Sequence, residues 1–267
     1  MAICHLAVRH GNRRTGRRAL VHVKHLARAG ASGRGRGGDQ CVYVEHRNMP
    51  PWTQDDPRAF WAAADTYERA NGRLYTEIDI TLPRELTRPA QVALARAFLD
   101  REIGTAHPCS WAVRVRRALD GGEYPYMLVM VSERTHDGVA RGPAQFFTRA
   151  DPTDPTRGGA AKDPAWNHRE KVLALRVAWA ETANRALAQA GLEVRIDHRS
   201  LAAQGIDRTP EPKLGPEQTA LLRQGIVTPQ AAEVLALRQD RAALARVEQE
   251  VARLQARRRD RGGGERA

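Results

Sequence analysis

The residues of this chain with the most direct capacity for chemistry are a pair of carboxylates and a small set of imidazoles. Glu77 and Asp79 alternate in the run from Leu74 to Leu82. That spacing puts both on one face of a strand, where paired carboxylates can hold a hard cation such as Mg²⁺ or Mn²⁺. His5 is a further ligand candidate. His22 and His25 fall on one side of a predicted helix. An imidazole can attack phosphorus to give a phosphoramidate, which makes His25 a candidate nucleophile. The commoner role for such a histidine is packing or surface, and a single sequence leaves both open. Cys4, Cys41 and Cys109 are far apart and show no CxxC spacing, so a thiolate zinc site is not expected, and small buried thiols in a reducing compartment are.

The elements that must position these residues follow from periodicity and turn signals. Residues 1–10 read as a strand, 11–16 as a basic turn, and Thr15 to Ala29 as a helix. The glycine-rich stretch from Gly30 to Gly38 reads as a mobile basic loop, either a phosphate contact or a plain solvated linker. A helix is expected from Asp55 to Ala70, ended by Asn71-Gly72, then a half-buried strand from Arg73 to Pro83 with a carboxylate face. Thr87 to Ile103 is a predicted helix. Strands at Cys109 to Val115 and Tyr124 to Glu133 are joined by the hairpin signal Asp120-Gly121-Gly122. After a flap-like segment from Asp151 to Pro164 comes a long helix from Asn167 to Ala190, stopped by Gly191. The order predicts an α+β fold, one antiparallel sheet covered by helices. Residues 216–258 form a separate charged helical segment. In it Leu237, Leu244, Val247, Val251 and Leu254 have a coiled-coil-like spacing, open to a partner helix or to packing on the main body. Residues 259–267 are expected to be disordered.

The chain has 267 residues, and 43 Lys+Arg against 31 Asp+Glu give +12 with a pI near 10.5. Such a balance attracts polyanions, nucleic acid first. Only Lys24, Lys162, Lys171 and Lys213 are lysines, so an arginine-rich codon bias explains part of the excess. No run of eighteen apolar residues and no secretory leader is evident, so a cytoplasmic protein without a membrane span is expected.

Four segments then carry a family resemblance. They are residues 1–10 (MAICHLAVRH), Tyr67 to Leu86 (YERANGRLYTEIDITLPREL), Ser132-Glu133-Arg134 with Asp137-Gly138 and Arg141 to Phe147 (RGPAQFF), and Ile196 to Arg208 (IDHRSLAAQGIDR). Together they resemble the MobA/MobL plasmid-mobilisation relaxases, the last through that family's DHRS-x-x-x-QG block, and they make residues 1–215 a relaxase-like DNA-binding domain. The resemblance implies a histidine-hydrophobe-histidine (HUH) endonuclease fold. In it a tyrosine attacks a DNA phosphate at a transfer origin, and a divalent metal on three histidines polarises that phosphate.

At the positions matching those ligands this chain has Arg114, Tyr126 and Leu128, and His25 stands where the family has its tyrosine. The expectation is a DNA-binding protein, on single-stranded or origin DNA, that no longer nicks or nicks very poorly and needs no cofactor. Arg114 would replace the metal as a phosphate-binding cation. Arg116, Arg117, Arg13, Arg14 and Arg34 are further phosphate candidates, and Trp52, Tyr75 and Tyr126 can stack on bases. Two alternatives stay open. One is an active strand transferase rebuilt on His25 with Mg²⁺ or Mn²⁺ at Glu77 and Asp79. The other is a non-catalytic subunit of a larger nucleoprotein complex, docked through the C-terminal helix. Asp197, His198 and Arg199 are read as a polar helix cap rather than a DNA contact.

Overall fold

A computed structural model describes residues 5–26, 39–212 and 214–263. Five strands, β1 (Leu6–Gly11), β2 (Gln40–Arg47), β3 (Tyr75–Thr81), β4 (Cys109–Arg117) and β5 (Glu123–Val131), form one sheet in the order β1-β3-β5-β4-β2, and every neighbouring pair is antiparallel. The helices are α1 (Ala19–Leu26), α2 (Pro57–Tyr67), α3 (Arg88–Glu102), the short α4 (Pro143–Phe146), α5 (Arg169–Gln189), α6 (Pro216–Arg223) and α7 (Pro229–Gly263). The expected α+β sandwich is what forms.

Each sheet face is covered, which is why β5 reads as a nearly unbroken apolar run. Ile78, Ile80, Trp111, Val113, Met127 and Val129 point to the layer of α3 and α5, where Phe98 meets Trp179 edge to face at 5.3 Å. On the opposite side Ala112, Leu128 and Met130 meet Val23 and Leu26 of α1 and Phe60 and Trp61 of α2. Gly121, at φ 83°, makes the β4–β5 turn in a left-handed conformation that favours glycine. At Gly11 the reason is space: a Cβ there would lie 2.0 Å from the Tyr75 ring.

Several local expectations need correction. β2 is an additional strand: it lies at the sheet edge and carries a register shift between Cys41 and Tyr43, which breaks the alternation that would have marked it. β3 is buried along nearly its whole length rather than half-buried, with Glu77 turned to His22 of α1 and only Asp79 partly exposed. α1 begins at Ala19, not near Thr15, because its first amides are capped from another helix. The Asp65 carboxylate of α2 accepts from Ala19 N at 2.8 Å and Leu20 N at 2.9 Å. The loop expected at 30–38 lies outside the described residues.

The chain divides into two compact units, Met1–His198 and Arg199–Ala267. The boundary expected at 215/216 therefore falls inside the second unit. There Arg238 and Arg241 pair with Glu211 at 2.6 and 3.0 Å, and Leu244, Val247, Val251 and Leu254 are exposed on α7. α7 continues to Gly263, past the expected start of a tail at 259. In the DHRS block Ser200 Oγ accepts from Ala203 N at 3.2 Å, beside a 3-10 turn at Ala202–Gln204 that has no side-chain cap of its own. Among the described residues no helix is long and apolar enough to cross a membrane.

Candidate nucleic-acid interface

The pleat of the sheet gathers the chemistry-bearing residues on the α1 side. Arg9 of β1 lies opposite Glu77 of β3, Asp79 opposite Leu128 of β5, and on the other flank Tyr126 and Tyr124 of β5 lie opposite Arg114 and Arg116 of β4. Alternate positions on adjacent antiparallel strands share a face, so these eight side chains form one patch.

Glu77 is its electrostatic centre. Its side chain is 3% exposed, and its carboxylate lies 2.8 Å from His22 Nε2, 3.1 Å from Arg9 Nη1 and 3.2 Å from Arg17 Nη2. The His22 ring is held from behind by Tyr75, stacked at 5.0 Å and 11°. Burial would push the Glu77 carboxyl upward, but His22, Arg9 and Arg17 outweigh it and bring the pKa down to about 2. A carboxyl with a depressed folded pKa stabilises the fold fully above its unfolded value near 4.5, and that contribution disappears as pH falls through about 2. Because both arginines are partly solvated, we expect Glu77→Gln to lose about 2 kcal/mol at neutral pH. Acid titrations followed by circular dichroism check this: the gap between wild type and variant should close towards pH 2, and a gap unchanged across that window contradicts the assignment.

Arg114 is not an open phosphate ligand. Its side chain is 3% exposed, and Nη1 donates to the carbonyl oxygens of His25 at 3.2 Å and Leu26 at 3.0 Å, while Nε donates to Asp39 Oδ2 at 3.3 Å. Tyr126 donates its hydroxyl to the same Asp39 oxygen at 2.7 Å. The C-terminal end of α1 carries partial negative charge on its last carbonyls, which is where a buried cation is most favourable. Arg114 therefore ties the end of α1 to the start of β2. Tyr126, 8% exposed, has its phenol raised by burial and by its bond to Asp39, so it neither offers a phenolate nor opens a face to a base.

The other predicted residues divide between interior and surface. Tyr75 is buried beneath His22, with its phenol pushed up to about 12 by burial, and is a packing residue rather than a stacking platform, while the half-buried Trp52 stacks on Phe60 at 5.9 Å. Arg13 donates to the Asp65 carbonyl at 2.9 Å. Arg14, Arg116 and Arg117 are exposed, and Arg34 lies outside the described residues. His25 has an exposed side chain, so it is His22, one turn earlier, that reaches the acidic centre. Asp79 is raised by burial against the pull of His5, Arg9 and Arg116. Sequence reasoning missed Arg9, Arg17, Asp39 and Tyr124. Arg9 was findable, since β1 alternates and Arg9 shares a face with Ala7 and Gly11; Asp39 carried no local signal.

The donor set does not fit a divalent ion. A guanidinium, a hydrogen-bonded phenol and a hydrocarbon occupy the three positions the resemblance gives to histidine ligands. Arg9 Nη1 lies 3.1 Å from Glu77 and 3.7 Å from Asp79, where an ion bridging the two carboxylates would have to sit. Among the described residues no group of three or more His, Cys, Asp or Glu converges as a metal site.

Comparison with known proteins gives the chain its context. The model of the MobA/MobL family matches residues 38–224. Mobilization protein A of Escherichia coli is 40% identical over 232 residues, covering 86% of this chain and 32% of that protein. The 43 kDa relaxation protein of Salmonella typhimurium is 39% identical over 213 residues, covering 78% of this chain and 56% of that protein. The chain thus spans from just under a third to rather more than half of the length of these relatives. A solved structure from work on the molecular basis of vancomycin resistance transfer in Staphylococcus aureus shares the fold, with TM-score 0.53 and 21% identity, over 74% of this chain and 100% of that one.

Proposed function

Because this chain belongs to the MobA/MobL family, we propose that its sheet-bearing unit binds single-stranded or origin DNA in plasmid mobilisation and no longer cuts it. The observation carrying this reading is the Arg114–Asp39–Tyr126 cluster: the place where the family resemblance puts a metal and its ligands is closed by an internal ion pair. Strand scission needs an in-line nucleophile and a positive centre against the nonbridging oxygens. Here the buried guanidinium is already engaged by two carbonyls and a carboxylate.

Grip on a polyanion does not require that centre. Arg9 and Arg17, with side chains 50% and 38% exposed, border the same patch, and Arg116, Arg117 and Arg14 stand at the surface. Contacts from about four of these would give log K against log salt a slope near −3 for a single strand. Fluorescence anisotropy with a single-stranded oligonucleotide tests the reading. The expected result is binding that weakens with salt at about that slope and is unchanged by EDTA. Absence of binding at low salt, or its abolition by the chelator, would contradict it.

A further inference from the structure

Arg116 differs from every other cation of the patch. Arg9 and Arg17 are ion-paired with Glu77, and Arg114 is buried against Asp39, whereas among the described residues no carboxylate comes within salt-bridge distance of Arg116. Its position is instead set by aromatic rings. The guanidinium lies 4.5 Å from the centre of the Tyr124 ring and 5.1 Å from that of Tyr126, and the two rings are 6.3 Å apart. Both tyrosines are themselves anchored, Tyr126 by its bond to Asp39 and Tyr124 by a hydroxyl contact with Thr81.

The consequence is a planar, five-donor group held at an exposed position by a rigid shelf. A cation that only neutralised phosphate would gain nothing from such a shelf, because an attraction to a diffuse chain of charges does not depend on the orientation of the fork. Orientation matters when two N–H groups must meet two acceptors fixed in one plane. Among the bases guanine offers that pattern, O6 and N7 on one edge, and a bidentate arginine is its usual match.

We infer that Arg116 is a base-reading residue which selects guanine in a single DNA strand lying across the sheet face. The inference rests on the reading of that face as a DNA surface and adds a specificity to it. Stacking alone would accept any base, so the guanine edge is the discriminating element.

The test compares labelled oligo(dT) of about twelve nucleotides, within the range of single-strand sites, with the same strand carrying one central guanine, adenine or 7-deazaguanine. The full chain is expected to bind the guanine strand about 10-fold more tightly than the adenine strand. Removing the N7 acceptor with 7-deazaguanine should erase most of that preference. Arg116→Lys should keep the charge but bring the ratio of guanine-strand to adenine-strand affinity, measured within the variant, down to about 1, and Tyr124→Ala should do the same with Arg116 still present. Equal binding of all four strands, or a preference that survives Arg116→Lys, overturns the inference and leaves DNA binding standing. If no strand binds at all, the reading of the face falls and this inference with it.

Discussion

Replacing Arg134 with alanine is expected to remove about 4 kcal/mol of stability, the largest single effect in this molecule. Arg134 and Glu68 are 3% and 2% exposed and meet as a fork, Nε to Oε2 at 2.9 Å and Nη2 to Oε1 at 3.0 Å. The remaining donors reach the carbonyls of Phe147 at 2.6 Å, Thr148 at 2.9 Å and Ala160 at 2.5 Å. Truncation would leave a buried carboxylate with Lys162, 3.3 Å away, as its remaining ion-pair partner, together with three carbonyls lacking their donor. Glu68 is the residue that ends α2, and α2 supplies the Asp65 carboxylate that caps α1. The loss should therefore spread through α1 to the face proposed to bind DNA. Urea unfolding measures it, and a change below about 1 kcal/mol would contradict the network.

Arg114→Ala is the second large effect, expected at about 3 kcal/mol. The figure sits at the low end for a broken buried pair because Asp39 keeps 23% of its side chain in contact with solvent. Arg114→Lys should recover little, since one ammonium cannot reach the His25 and Leu26 carbonyls and Asp39 in the same geometry. Hydrogen exchange should locate the damage at α1 and the first residues of β2, while the salt slope of DNA binding stays as in wild type. A stability-neutral variant with a flattened slope would return Arg114 to the role of phosphate ligand.

The fold was largely legible, and the site was legible by position rather than by role. Period-two alternation gives β3, and the Asp120-Gly121-Gly122 turn between two apolar runs gives β4 and β5, because those strands answer to local sequence and to burial. β2 escaped because an edge strand with a bulge has no clean period. At the site, the positions 114, 126 and 128 do come together on one face, as the resemblance implied. What could not be read is where Arg114 points. An arginine on a strand gives the same pattern whether it reaches solvent or two carbonyls 88 and 89 residues away in the chain. The partner that decides it, Asp39, is an unremarkable acid in the sequence. Tyr75 and Trp52 illustrate the same limit, since an aromatic side chain fits a core and a stacking platform equally well until its neighbours are known.

The most direct test of the central claim is a relaxation assay. Supercoiled plasmid carrying the transfer origin is incubated with the full chain and Mg²⁺ or Mn²⁺, and the products are examined for open circles and for protein attached to a 5′ end. The account predicts intact supercoils under conditions where the same DNA is bound. Nicked circles with a covalent protein adduct would show that a working centre exists despite the Arg114–Asp39–Tyr126 closure, and the account would be wrong.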